Sequence, residues 1–513
     1  MWPEKPFIYQ INTAVWLNSL RVYYQNPDIT LTTVPEEVLI WLESLNVDAI
    51  WLTGVWQRSA AARKSALNYT HEYRPVLPDL TEADVIGSAY AVGAYTVDTQ
   101  WGGREGLAHF RQRLRQRGMR LILDYVPNHV ATDHEWVTEK PHFMVRGNKD
   151  TAKHHPGMFF ITQNSKGQQL IIAHGRDPYF PSWIDTAQVN AFSNEYRKAA
   201  RDVLLDIAEQ CDGVRCDMAM LMVNSIFSRT WGAYLLETAP NVEFWEELIP
   251  AVKAQHPHFL FAAEVYWDME YQLQQQGFDL TYDKLLYDRL LSADANALRL
   301  HLTADPNYQK RMVRFIENHD EPRAAASLGI ERSRPAAVVI ATLPGATLLH
   351  DGQFTGRYMK LPIQIARQPD ETPHHALSAF YMRLLRETRH PIYQHGHWHL
   401  LDIQPTPDWG VKTHNNVLAY GWEMDGEYRL IVVNITHVWS QAIVRMNAWH
   451  GLGGMPVRLR DALNGACHYR EGDQLLNGGL YVELEPFQAH IYHVEPLRES
   501  EDLREFAEAT AVP

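Results

Sequence analysis

RLILDYVPNH, residues 120–129, is the stretch that decides the fold. Leu121, Ile122 and Leu123 form an unbroken apolar run, as in a strand covered on both faces, and Asp124, Asn128 and His129 follow at its end. Ahead of it, Arg104–Gly118 carries Leu107, Phe110 and Leu114 at spacings of three and four, with Gly118 where a C-terminal cap falls. Behind it, Ser193–Gln210 repeats Tyr196, Ala199, Val203 and Ile207 at helical spacing, with Ser193 as its N-cap. The same alternation extends both ways. Phe7–Val15, Asp48–Leu52, Arg120–Val126, Gly213–Cys216, Phe259–Ala263, Phe278–Tyr282, Val313–Ile316 and Ala346–Leu349 read as eight short strands with helices between them. Eight such strands predict an α/β fold, a (β/α)8 TIM barrel; an open doubly wound sheet is the alternative, because periodicity does not report closure.

Two regions break the pattern. The third strand is followed by a weakly periodic segment rich in His, Gly, Pro, Asn and Lys, read as a small domain inserted over 131–185. The segment Gln57–Tyr90 is a long loop, and long loops are often functional. From Pro391 the pattern changes to short alternating runs, Val417–Trp422, Tyr428–Asn434, Ala442–Met446 and Tyr481–Leu484, which predict a C-terminal all-β sandwich over 391–497. The barrel then occupies 1–130 and 186–390, and 498–513 is an acidic tail.

Composition narrows the function. The chain has 513 residues, 47 Lys and Arg against 61 Asp and Glu, and a formal charge of −14, so nucleic acid is a poor partner. No run reaches the ~18 apolar residues of a membrane span, and Met1–Pro6 lacks the basic start and apolar stretch of a secretion signal. Cys211, Cys216 and Cys467 are too few for a disulfide framework, and the expected location is the cytoplasm. Sixteen Trp, 24 Tyr and 17 Phe fit either a large aromatic core or rings stacked on a flat ligand such as a sugar.

The strand ends carry the chemistry, since reactive groups of parallel barrels gather there. They supply Asp124 and His129, then Arg215 and Asp217, then Glu264, then His319 and Asp320. Four acids at matched ends of separate strands are hard to explain as helix caps. Glycoside cleavage needs such a set: one carboxyl attacks, another protonates the leaving oxygen and later activates water. Arg215 lies two residues before Asp217 on one strand face, where a cation would keep the Asp217 carboxylate ionised.

With DYVPNH at 124–129, GVRCD at 213–217, AAEV at 262–265 and ENHDEPR at 317–323, the chain resembles the α-amylase family, glycoside hydrolase family 13. The stretch GSAYAV at 87–92 fits a fifth family feature. The resemblance implies a barrel over about 1–390, an inserted B domain and a β-sandwich tail. It implies Asp217 as nucleophile, Glu264 as general acid and base, and Asp320 as the third carboxylate. It further implies Arg215 as orienting cation, His129 and His319 as ligands of the reacting sugar, Tyr90 as stacking aromatic, and Asp124 as an acid beside the site.

Departures from the family pattern also count. Met220 and Leu221 stand where many starch-degrading members have Lys-His, a pair that serves a sugar subsite and a calcium ion; Ala94 replaces an acid common in relatives. Asn128 matches a family calcium ligand, yet no metal and no cofactor are expected. The activity implied is a retaining cleavage of α-glucosidic bonds in an oligosaccharide or α-glucan. The alternatives are a transglycosidase, isomerase or phosphorylase using the same intermediate, and a non-catalytic sugar-binding relative. His134, His142, His154, His155 and His174 in the insert are expected on a solvated surface, Trp136, Trp183 and Trp267 either in the cleft or as buried anchors, and Cys216 packed inside.

Overall fold

The computed structural model describes residues 1–407, 412–498 and 500–510. Its centre is a closed barrel of eight parallel strands: β1 (Phe7–Asn12), β2 (Ala49–Thr53), β3 (Arg120–Tyr125), β4 (Gly213–Cys216), β5 (Leu260–Ala263), β6 (Leu280–Tyr282), β7 (Met312–Arg314) and β8 (Ala346–His350). Neighbours in sequence are neighbours in space, and β8 closes on β1. The open-sheet alternative is thereby excluded. β2 to β8 are buried almost throughout, as their continuous apolar runs require. Gly213 opens β4 because a Cβ there would lie 2.9 Å from both Cβ and the carbonyl oxygen of Leu260 on β5.

The first strand is shorter than its apolar run. It stops at Asn12, whose Oδ1 accepts the Val15 amide at 3.3 Å and starts the helix Thr13–Tyr23. Buried Ala14, Val15, Trp16 and Leu17 continue the run as helix, because an apolar stretch alone does not separate strand from buried helix. β7 likewise ends at Arg314, and Phe315 and Ile316 leave the sheet as they carry the chain toward Glu317.

The segment after β2 is not a bare loop. Trp56–Arg58 pairs with Val92–Val97, and helices Ala60–Leu67 and Thr70–Tyr73 lie between them. After β3, His129–Ala131 pairs with Thr186–Gln188, and within the excursion they bracket, Phe159–Gln163 pairs with Gln169–Ala173. Beyond the barrel stand two antiparallel sheets. The six-stranded one runs His397–Leu400, Val417–Met424, Glu427–Asn434, Ala489–Pro496, Pro456–Asp461, Cys467–Glu471; the three-stranded one runs Ile403–Gln404, Ser440–Val444, Leu480–Leu484. Residues 500–510 of the acidic tail are helical. Residues 499 and 511–513 of that tail, and 408–411 between Ile403–Gln404 and Val417–Met424, lie outside the described residues. Among the described residues no helix is long and apolar enough to cross a membrane.

Candidate active site

Strand register brings the acids side by side. Arg215 on β4 faces Asp124 on β3 and Ala262 on β5, one residue short of Cys216 and its partners Tyr125 and Ala263. Each strand then delivers its side chain just past the sheet. The Asp217 amide still donates to Tyr125 O at 2.8 Å and the Glu264 amide to Cys216 O at 3.0 Å, so the ladder itself places both acids.

Arg215 is the hub. Its side chain is almost fully buried, and one terminal nitrogen lies 2.7 Å from Asp217 Oδ1 and 3.5 Å from Asp124 Oδ1. The other lies 2.7 Å from Glu264 Oε2 and 3.6 Å from Asp320 Oδ2. The guanidinium also sits over the rings of Trp51, Tyr90 and Tyr282 at 5.2–5.9 Å. Glu264 is fixed twice more: the Met218 amide donates to Oε2 at 2.7 Å and the Tyr266 hydroxyl donates to Oε1 at 2.8 Å. Met218 takes a left-handed conformation, φ 43°, to turn its amide that way.

His319 orders the other wall. Gln10 Nε2 donates to its Nδ1 at 2.6 Å, which leaves the proton on Nε2. That nitrogen faces Asp320 Oδ2 at 3.0 Å and the Tyr90 hydroxyl. Tyr90 is buried and stacks on the His319 ring at 5.3 Å, so a neighbouring imidazole already covers one face of the expected platform. His129 is buried beside this group, against the main chain of Tyr90 and the ring of Trp183 at 5.1 Å; burial lowers its imidazole to about 4.

Four carboxylates share the one cation. Burial pushes Asp217 well above the ordinary carboxylate range, with Glu264 and Asp320 adding and Arg215 opposing. Arg215 thus acts on Asp217 in the expected direction, drawing its carboxyl down, but burial and the two neighbouring acids outweigh it. Burial likewise raises Asp124 to about 6, against Arg215 and His319. Asp320 goes the other way: against burial, His319, Arg215 and Lys360 hold it well below its usual range.

The remaining expected residues separate. Trp136 packs against Phe143 and Tyr196 and is an anchor, whereas Trp267 meets Tyr179 edge-on at 5.0 Å at the mouth. Cys216 is buried, and burial pushes its thiol well up. Of the insert histidines, His134 and His174 are buried rather than solvated: His134 caps the Trp136 amide at 3.1 Å and His174 packs on Phe160. Asn128 is engaged inside the protein, its Oδ1 accepting from Gln188 Nε2 at 2.9 Å, and Met220 and Leu221 are buried and apolar. Calcium takes six to eight oxygen ligands, and this set does not fit it; among the described residues no group of three or more His, Cys, Asp or Glu could hold a metal ion.

Sequence reading missed Gln10, Trp51, Tyr266, Tyr282 and Lys360. Gln10 and Tyr266 had a signal: a polar side chain inside a buried apolar strand, and an aromatic two residues past an acid. Lys360 had none, since its Nζ reaches the Asp320 carbonyl from a loop forty residues away.

Comparison with known proteins agrees with this geometry. The family model described as alpha amylase, catalytic domain, matches residues 36–380. Alpha-amylase MalA of Haloarcula japonica is 26% identical over 365 residues, covering 69% of this chain and 45% of that protein. Alpha-amylase 3 of Dictyoglomus thermophilum is 20% identical over 443 residues, covering 78% and 79%. The chain thus spans less than half the length of the first of these relatives. In fold, it matches the maltogenic alpha-amylase AmyB of Thermotoga neapolitana with a TM-score of 0.67 at 17% identity, over 96% of this chain and 99% of that one.

Proposed function

Because the chain belongs to the α-amylase family, we propose that it is a retaining glycosidase that cleaves α-glucosidic bonds in oligosaccharides or α-glucans. The observation that carries this reading is the single Arg215 guanidinium holding both Asp217 and Glu264 at 2.7 Å. Its two terminal nitrogens are close neighbours, so the carboxyls they hold are close as well. That favours the ~5–5.5 Å spacing of a retaining pair over the ~6.5–9.5 Å of an inverting one.

In this reading Asp217 attacks the anomeric carbon while Glu264 protonates the departing oxygen. The covalent glycosyl-enzyme is then resolved by water, which Glu264 deprotonates. Tyr266 and the Met218 amide keep Glu264 aimed through both steps. Asp320, held ionised by His319, takes sugar hydroxyls and stabilises the positive charge that develops on the ring. Asp217 must be ionised to attack, so its raised pKa predicts that activity falls on the acid side at a higher pH than an ordinary aspartate would give. Asp217→Asn should lower kcat by roughly three orders of magnitude or more, with an unchanged circular dichroism spectrum. Full activity in that variant would overturn the assignment.

Met220 and Leu221, buried where a Lys-His pair serves starch-degrading relatives, favour a second reading. In it a sugar or phosphate, rather than water, resolves the intermediate. Product analysis with and without added acceptor separates the two: free sugar released at an acceptor-independent rate excludes the second. We further infer a cytoplasmic enzyme with no nucleic-acid partner, from the three unpaired cysteines and the acid excess.

A further inference from the structure

Two long segments at the mouth of the barrel are fastened to each other. One lies between β2 and Tyr90, the other follows β8 over 351–374. Ile86 N donates to Gln364 O and Ala366 N to Asp84 O, both at 2.8 Å, and Val85 and Ile365 form an antiparallel bridge between them. Arg367 clamps the pair. Its Nε and one terminal nitrogen take the two oxygens of Asp84 at 2.8 and 3.0 Å, and the other terminal nitrogen takes both oxygens of Asp79 at 3.1 and 3.0 Å. Beneath the clamp, Val85 and Ile365 are fully buried among Ala66, Tyr73, Leu77 and Leu80, a small core separate from that of the barrel. An isolated surface ion pair contributes ~0–1 kcal/mol. Here a planar fork, a main-chain ladder and a buried apolar core act at one place, and the result is a fixed wall.

Both strands of the wall lead directly to residues that touch the site. Six residues past Asp84 the chain delivers Tyr90 onto His319, and Lys360, seven residues before Arg367, meets the Asp320 carbonyl. The opposite end, past Glu264, is built differently. Tyr266 bonds Glu264, and next to it Trp267 takes φ 66° and meets Tyr179. Tyr179 is 54% exposed, its amide is pinned by Asp177 Oδ1 at 2.6 Å, and Arg229 lies over its ring. An exposed, rigidly held tyrosine beside the half-buried Trp267, on the side of the acid that protonates the leaving group, offers a free ring face that suits further sugar rings.

We propose that the cleft is one-ended: the wall made by 84–86 and 364–367 stops it beyond a single glucosyl unit. The enzyme then releases units from the non-reducing end while the rest of the oligosaccharide lies along Tyr179 and Trp267. This rests on the glycosidase reading above.

The test uses two maltoheptaosides, one free and one whose non-reducing end carries a 4,6-acetal, with products read by chromatography. From the free substrate, glucose and the chain shortened by one should appear first; the blocked substrate should react at least a hundredfold more slowly. Early mid-length fragments, or comparable cleavage of both, would overturn the one-ended cleft and leave the glycosidase reading standing. Cleavage of neither would overturn both. Arg367→Ala should raise the blocked-to-free ratio at least tenfold, and an unchanged ratio in a folded variant would sink the assignment of the wall to this clamp. If Arg367→Ala does not fold, Asp79→Asn, which neutralises the outer half of the clamp, serves for the same comparison.

Discussion

Asp124 lies in the barrel mouth with almost no solvent contact, and burial raises its carboxyl to about 6 although Arg215 stands 3.5 Å away. An acid whose folded-state pKa exceeds its unfolded value binds more protons folded than unfolded. Its contribution to stability is therefore full below about pH 4 and is lost as pH rises through about 6. Asp124→Asn keeps the shape and removes the titration. The variant's Tm relative to the wild type should climb by about 2–4 °C between pH 4 and 7, which scanning calorimetry at several pH values would show. A difference that stays constant with pH would contradict the buried, raised carboxyl. This is also where sequence reading reached its limit at the residue scale. Asp217, Glu264, Asp320 and Arg215 were legible because a strand end and a period of two fix where each points. The opposite shifts of Asp217 and Asp320 were not, because they depend on acids from different strands converging on one cation. Tyr282 was illegible for the same reason: it meets Arg215 only once the barrel closes.

Ser193 shows what is legible at the scale of an element. Its Oγ accepts the Tyr196 amide at 3.3 Å, as the hydroxyl ahead of a helical apolar stripe predicted, and the helix Asn194–Gln210 follows. That helix leads into β4 and hence to Arg215 and Asp217. Ser193→Ala should cost about 1 kcal/mol, the usual price of an N-cap, seen as a lower urea midpoint at unchanged m-value, with kcat unaffected. Loss of activity without loss of stability would mean that Ser193 does more than cap. Elements were missed where period and composition give no boundary. The run from Phe7 to Leu17 is mostly apolar on both sides of Asn12, and the Asn12 cap turns it from strand to helix. In the segment after β2, helix Ala60–Leu67 buries only Ala62 and Ala66, too little apolar surface for a stripe to show.

At the scale of the molecule, the barrel and the six-stranded sheet share a core. Leu418, Tyr420, Trp422, Ile431, Val433 and Ile491, all on one face of that sheet, join the apolar cluster of the barrel, while the opposite face has a core of its own. Polar contacts reinforce the seam: Trp422 Nε1 donates to Thr342 O at 2.7 Å, and the Tyr420 hydroxyl meets Thr342 Oγ1 at 2.7 Å. Glu387, on the helix His375–Glu387, joins Tyr393, Arg429 and His493 at 2.8–3.2 Å; although burial raises its carboxyl, these partners hold it below its ordinary value. The change to short alternating runs after Pro391 announced the sheet, but the shared face was not legible, because alternation marks a buried face without saying what covers it. Sharing a core makes the two bodies one cooperative unit. Calorimetry of the wild type should therefore show a single transition. Trp422→Ala leaves a cavity at the seam and removes its hydrogen bond to Thr342, a loss of about 3–5 kcal/mol. It should move the whole transition down without dividing it. Two transitions, with only one displaced by Trp422→Ala, would show that the sheet unfolds on its own and that the seam is a contact between independent bodies.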